Sequence, residues 1–365
     1  MDVVVRQAPR QAGVCLRTRD RATLALLLPF RTIQPPTDPK PPAARRRLLR
    51  IGVRLIGPAL LLVVLLQLHD LTTVLAALTW DDAGLLGAGI GLGLLAYPLK
   101  ALRWRTLLAA RGHPYPRSRA LLSLLSAGYV GHLTPGRVGD LLRLQYLRHD
   151  LGMPYPDGLA LLMIDRCCDV YVPLTVAVFA AIAMAPVLTG DLLLVTWLGV
   201  LFMAAGPPLL FIPATARGAA ALALRLAPGS AGEGTNRFFA GLRHQRPRHL
   251  AVAAGLTALA LALHYAQAAT VAAALDLQLS LVDVVALLAI SGVLGAVPIT
   301  IAGLGVRELF LALAFPQLGG SAEAGVIFGL GVFLVVHVPA TAIGFISWQI
   351  APPPLGEPSP RPPPG

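Results

Sequence analysis

Charge is what this sequence has least of. Only 13% of its 365 residues are Asp, Glu, Lys or Arg, against roughly a quarter in soluble domains. A surface wetted on all sides needs more than that. Cysteine is nearly missing as well: Cys15, Cys167 and Cys168 make up the three, which excludes a disulfide framework. Aromatic residues reach 6% and do not alternate with polar ones, as the strands of an outer-membrane barrel require. No Cys/His spacing resembles a zinc site, and His132, His264 and His337 stand far apart, so no metal and no cofactor are expected. There is no Gly-x-Ser-x-Gly elbow and no phosphate-binding loop, which argues against a hydrolase and against an ATP-driven pump. Acidic residues are scarce too, 18 against 30 basic ones, a net charge of +12. The basic residues gather at the ends of apolar runs. That placement fits lipid headgroups and membrane topology, not nucleic acid.

What remains is hydrophobic: 56% of the residues, with a mean hydropathy of +0.70. Several runs are long enough to cross a bilayer, and helices are the only other structure that satisfies the backbone in lipid. The expected fold class is therefore all-α, a polytopic helical membrane protein. About six full spans are expected: Ile51 to Leu68, Leu85 to Leu99, Leu159 to Pro186, Leu192 to Ile212, Leu250 to Leu275 and Ala322 to Trp348. Residues 1–50 read as a basic, proline-rich, disordered extension, 51–348 as one transmembrane domain and 349–365 as a proline-rich disordered tail. Arg45, Arg46, Arg47 and Arg50 precede the first span and Arg54 lies in its first turn, which places both termini on the cytoplasmic side of an inner membrane.

Details follow from composition. Gly87, Gly89, Gly91 and Gly93 form a glycine stripe that would let a neighbouring helix approach closely. Tyr97-Pro98 should kink or end the second span. The basic stretch after it, with Trp104 and Leu107-Leu108, reads as an interfacial helix lying against lipid. Pro228 to Gly234, within a basic connector, reads as a flexible loop.

Two stretches do not behave as plain spans. Gly131 to Arg143, GHLTPGRVGDLLR, follows an apolar run too short to cross and flanked by basic residues on both sides. It reads as a re-entrant hairpin broken at Pro135, Gly136 and Gly139, with a tilted full span as the alternative. Val297 to Glu308, VPITIAGLGVRE, repeats the pattern with Pro298, Gly303, Gly305, Arg307 and Glu308. The two enter from opposite faces, so an inverted pseudo-repeat of broken elements around a cavity is a candidate arrangement. Ordinary turns with interfacial charges would use the same residue types.

Charges are expensive in hydrocarbon, and their placement marks candidate sites. Asp165 and Asp169 share a helix face, Arg166 points away from it, and Asp140 and Arg143 share another face. A lipid phosphate would engage Arg137, Arg143, Arg166 or Arg307 through guanidinium forks. Asp140, Asp165, Asp169 and Glu308 would hold those arginines. The bland alternative is structural ion pairing between helices.

In this order and spacing the motifs resemble the flippase-like transmembrane domain of lysylphosphatidylglycerol synthases. The resemblance covers roughly Leu55 to Phe345. It rests on Leu102-Arg103-Trp104, on Thr134-Pro135-Gly136-Arg137-x-Gly139-Asp140-x-x-Arg143, on Asp165-Arg166-x-x-Asp169, and on Pro298-x-x-x-x-Gly303-Leu304-Gly305-x-Arg307-Glu308. It departs where the family usually carries Glu in place of Asp140, one methylene longer, and a Ser and a double glycine where Thr300 and Ala302-Gly303 stand. The resemblance implies movement of a phospholipid, or of a polyprenyl or glycolipid headgroup, between leaflets, without a covalent step. The aminoacyl-transferase domain of the full synthases has no counterpart in these residues, so lysyl-lipid synthesis is not implied. Membrane lipids are the expected partners. A role as accessory to a lipid-modifying glycosyltransferase, or as a lipid-modifying enzyme, are the alternatives.

Overall fold

The computed structural model describes residues 82–205, 231–243, 245–295 and 305–354. The expected first span, Ile51 to Leu68, lies outside them, as do residues 1–50, Pro298, Gly303 and the tail from 355. The described residues form helices and connecting turns, with no strand among them.

In chain order the helices are α1 (Ala83–Ala109), α2 (Arg117–Leu133), α3 (Arg143–Leu151), α4 (Tyr155–Met184), α5 (Asp191–Ala205), α6 (Ala231–Arg243), α7 (Pro247–Ala274), α8 (Leu281–Gly295), α9 (Val306–Ala314) and α10 (Ala322–Ile350). Short 3-10 segments at Pro135–Leu142 and Phe315–Leu318 join α2 to α3 and follow α9. Four helices, α1, α4, α7 and α10, are long and apolar enough to cross a membrane, and α5 and α8 are shorter apolar helices. Prolines sit inside three of the long ones, at Pro98, Pro173 and Pro339. Helices packed in a membrane tolerate this because neighbours take up the freed backbone groups.

Of the two outcomes open at Pro98, an end of the second span is excluded: α1 continues through it to Ala109. The expected interfacial helix is thus the second half of α1. Trp104, Leu107 and Leu108 are fully buried within the protein instead of facing lipid. The reason lies in Arg103 beside them, which is drawn inward by carboxylates on α4. The flexible loop expected up to Gly234 is also corrected, since α6 starts at Ala231.

The glycine stripe splits in two. Gly89 and Gly93 lie against Thr270 and Gln267 of α7, where a Cβ would collide with their side chains, while Gly87 and Gly91 face open space. Residues two apart on a helix point to nearly opposite sides, so only every second glycine can serve one contact. α1 and α7 pack along each other.

Two apolar cores result. One joins α1, α2, α3, the first half of α4 and α6 around Trp104, Leu124, Leu147 and Leu161. The other joins the second half of α4 to α5, α7, α8, α9 and α10 around Ile290, Leu311 and Phe328. Asp165, Arg166 and Asp169 fall on α4 between Ile164 of the first core and Leu174 of the second.

Local signals set the ends. Gly152, at φ 63°, closes α3, and the Ser321 hydroxyl accepts from the Ala324 amide at 3.1 Å to cap α10. Between α1 and α2, Tyr115 donates its phenol to Asp150 at 2.7 Å. Burial first, and that hydrogen bond second, push its pKa far above the ordinary value.

Candidate functional site

The break after α2 begins at Thr134. Its hydroxyl donates to the Val130 carbonyl at 2.8 Å and accepts from the Gly139 amide at 3.1 Å. The chain therefore turns back on α2, as the sequence predicts, and the returning arm is 3-10 rather than α-helical. Gly139 makes the return possible: a Cβ there would collide with the backbone of Gly131 and Val130. Arg137 sits in this arm at φ 54°. A side chain in that left-handed region is strained by about 1–2 kcal/mol.

This fold-back brings Asp140 and Arg143 to α4, where a continuous network of ion pairs forms. Asp165 is fully buried. Its Oδ1 accepts from Arg103 Nε at 2.8 Å, and its Oδ2 from Arg143 Nη1 at 2.7 Å and Arg166 Nη2 at 3.3 Å. Asp169 accepts from Arg103 Nη1 at 2.5 Å and Arg166 Nη2 at 3.0 Å. Asp140 accepts from Arg166 Nη1 at 2.9 Å. Arg103 also donates to Thr257 of α7 at 2.9 Å, and the Arg143 guanidinium stacks 3.6 Å from the Trp104 ring centroid.

Asp140 and Arg143, three apart, both reach α4, as the shared face predicts: i and i+3 eclipse in a 3-10 turn. There they pair with different residues, Arg166 and Asp165. Arg166 does not point away. Its long side chain bridges three carboxylates. Arg103, central to the network, was legible only as part of the Leu102-Arg103-Trp104 motif and as one of many basic residues after the second span.

Beside the network lies a cavity of about 40 Å³, lined by Lys100, Arg103, His132, Arg137, Asp140 and Arg166, among others. At about 10–15 Å³ of such space per water, it holds a few waters and no lipid headgroup. In and behind this cavity, Lys100, Arg103, Arg137, Arg143 and Arg166 stand against Asp140, Asp165 and Asp169, five cations against three carboxylates.

The described end of the second broken element, from Gly305, is organised differently. Glu308 Oε2 accepts from the Gly305 amide at 2.7 Å, closing the start of α9. Its Oε1 accepts from Arg307 Nε at 3.0 Å and Nη2 at 2.5 Å. Arg307 and Glu308 thus satisfy each other and do not line the cavity. A chain of rings leads from them toward it: Arg307 lies 5.7 Å from the Phe333 ring, Phe333 stacks on His337 at 4.7 Å, and His337 meets His132 at 5.8 Å. The histidines that stand apart in the sequence are therefore partly gathered, although no group of three metal-ligating side chains forms among the described residues.

The family described as lysylphosphatidylglycerol synthase TM region matches residues 49–344. The chain is also similar to glycosyltransferase AglD of Haloferax volcanii, 29% identical over 148 residues, which is 40% of this chain and 22% of that protein. The chain thus spans less than a quarter of that relative's length. No solved structure matches it. Family and apolar helices together make this an integral, multi-pass helical protein connected with membrane lipids.

Proposed function

The chain belongs to the lysylphosphatidylglycerol synthase TM region family, and from that premise we propose that it moves a phosphate-bearing lipid between the leaflets of the inner membrane without a covalent step. The observation that carries this reading is the cavity with its surplus of cations, set among apolar helices. Buried charge is tolerated there only when it is paired. Among the described residues Arg103, Arg143 and Arg166 pair with the three carboxylates, which leaves half-buried Lys100 and exposed Arg137 on the cavity lining to meet an anion. The headgroup would travel through this region while the acyl or polyprenyl tails stay in lipid. The cavity is too small for a headgroup in this conformation, so transport requires it to widen. The 3-10 arm is the natural moving part: it is held to α2 by the Thr134 hydroxyl and to α4 by the Asp140–Arg166 pair. Both termini on the cytoplasmic side belong to the same proposal.

The test is leaflet exchange in proteoliposomes, following quenchable phosphatidic acid, phosphatidylglycerol and its aminoacylated form, with wild type beside Arg166→Ala and Arg307→Ala. Headgroup-selective exchange by the wild type, lost in a folded Arg166→Ala protein, supports translocation. A folded wild type that exchanges no headgroup defeats it. The similarity to a glycosyltransferase favours a second reading, an accessory role beside a lipid-modifying glycosyltransferase. Co-purification with such an enzyme, without exchange, would support it.

A further inference from the structure

We propose that Lys100 and Arg137 form a subsite for a dianionic phosphate, the terminal phosphomonoester of a lipid headgroup. This rests on the translocation reading of the cavity and narrows its substrate class.

The argument begins with charge. Each carboxylate of the network is bound by at least one of Arg103, Arg143 and Arg166. Lys100 and Arg137 line the same cavity and form no ion pair with any described residue. An ordinary phospholipid phosphodiester carries one negative charge. A phosphomonoester carries about −1.5 to −2 at pH 7, which matches two unpaired cations. A headgroup bearing a lysyl group would bring positive charge instead.

Geometry then shows that Lys100 is held for a purpose. The Gln267 amide donates from Nε2 to the Val335 carbonyl at 2.9 Å. That fixes its Oε1 toward His264 Nδ1, 3.2 Å away. The proton of His264 therefore sits on Nδ1, and Nε2 offers a lone pair to Lys100 Nζ at 3.3 Å. The lysine is positioned by a neutral acceptor, so its charge is not cancelled. Gly93 leaves room for the Gln267 amide, which a Cβ would strike. Arg137, an exposed residue of the 3-10 arm with a left-handed backbone, lines the same cavity as Lys100. Strain of this kind collects at binding sites. One cation is thus pinned on a long helix and the other rides on the arm proposed to move, so a doubly charged phosphate could be held by both.

The experiment measures binding to the purified full chain in detergent, by displacement of a fluorescent dihexanoyl phosphatidic acid. The competitors are dihexanoyl phosphatidic acid, dihexanoyl phosphatidylglycerol, lysyl-phosphatidylglycerol and inorganic phosphate. Phosphatidic acid should compete about tenfold more strongly than phosphatidylglycerol, the equivalent of one further charge-assisted contact. Lys100→Gln and Arg137→Gln should each bring that ratio close to one, and Lys100→Arg should preserve it. Arg137 is exposed, so its variant decides the matter if Lys100→Gln does not fold. Equal affinities for the two lipids, a preference for the lysyl lipid, or a ratio unchanged in Arg137→Gln would each overturn the subsite. Inorganic phosphate competing as strongly as phosphatidic acid would make the ligand the free ion and remove the lipid assignment. Leaflet exchange without this preference sinks the subsite alone, and the preference without exchange sinks translocation alone.

Discussion

The two broken elements are built from the same residue types, and where both are described they use their arginine and carboxylate in opposite ways. In the first, proline, glycine, arginine and aspartate lie around a fold-back against α2, and every ion pair leads to another element: Asp140 to Arg166, Arg143 to Asp165. In the second, Arg307 and Glu308 are adjacent and pair with each other, while Glu308 also closes the first turn of α9. Reach and partner decide the difference. An adjacent pair can close on itself and needs nothing distant. A 3-10 arm lying over α4 delivers its charges to partners more than twenty positions away in sequence. The first element therefore knits helices together and borders the cavity. In the described part of the second, from Gly305 onward, Arg307 and Glu308 pair with each other, and Phe333, His337 and His132 link them toward the cavity.

The sharpest break of this comparison is Asp165→Ala. It strips a fully buried carboxylate from Arg103, Arg143 and Arg166, and the loss should be about 3–5 kcal/mol. Thermal unfolding in detergent and the yield of monodisperse protein would register it. Adding Arg143→Met should recover part of the loss, because one unpaired charge goes with it. If the double variant is worse than the single one, repulsion among the stranded arginines is not the cause.

Next in size is Gly139→Val. The side chain meets the backbone of α2, and overpacking of this sort costs about 1–3 kcal/mol. The 3-10 arm should lift, and cleavage by a protease near Arg137 should accelerate. An arm equally resistant in both proteins would show that the fold-back tolerates the bulk.

The local pair should give less. Arg307→Ala leaves Glu308 with its bond to the Gly305 amide, so the destabilisation should be about 1–2 kcal/mol, below that of Asp165→Ala. A larger loss than Asp165→Ala would reverse the ranking of the two elements. At the bottom lies the exposed pair of Glu233 and Arg237 on α6, with side chains 74% and 50% accessible. Glu233→Gln should change stability by about 0.5 kcal/mol at most, and serves as the baseline for the others.

Much of this was readable from residues alone. The helical membrane class follows from apolar run length and from the poverty of charge. The break at Thr134-Pro135 follows from turn chemistry, and six of the eight candidate charges, Arg137, Asp140, Arg143, Asp165, Arg166 and Asp169, do meet around one network or its cavity. Pro98 left a kink and a stop both open, and α1 runs on through it. Other features were misread for identifiable reasons. Basic residues after an apolar run look like a topology signal whether they face headgroups or, like Arg103, a buried aspartate. Lys100, His264 and Gln267 share no local motif, since they come from two different helices.

The sequence by itself determined where helices can lie, where they must break and which charges are too costly in lipid to be accidental, because length, hydropathy and turn chemistry act over a few residues. Only the tertiary structure decided which charge answers which. The pairing of Arg103 with Asp165, and the absence of an ion-pair partner for Lys100 and Arg137 among the described residues, depend on how α1, the 3-10 arm, α4 and α7 come together. Electrostatic partners are chosen by distance in space, and spacing along the chain carries that distance only within a single helix.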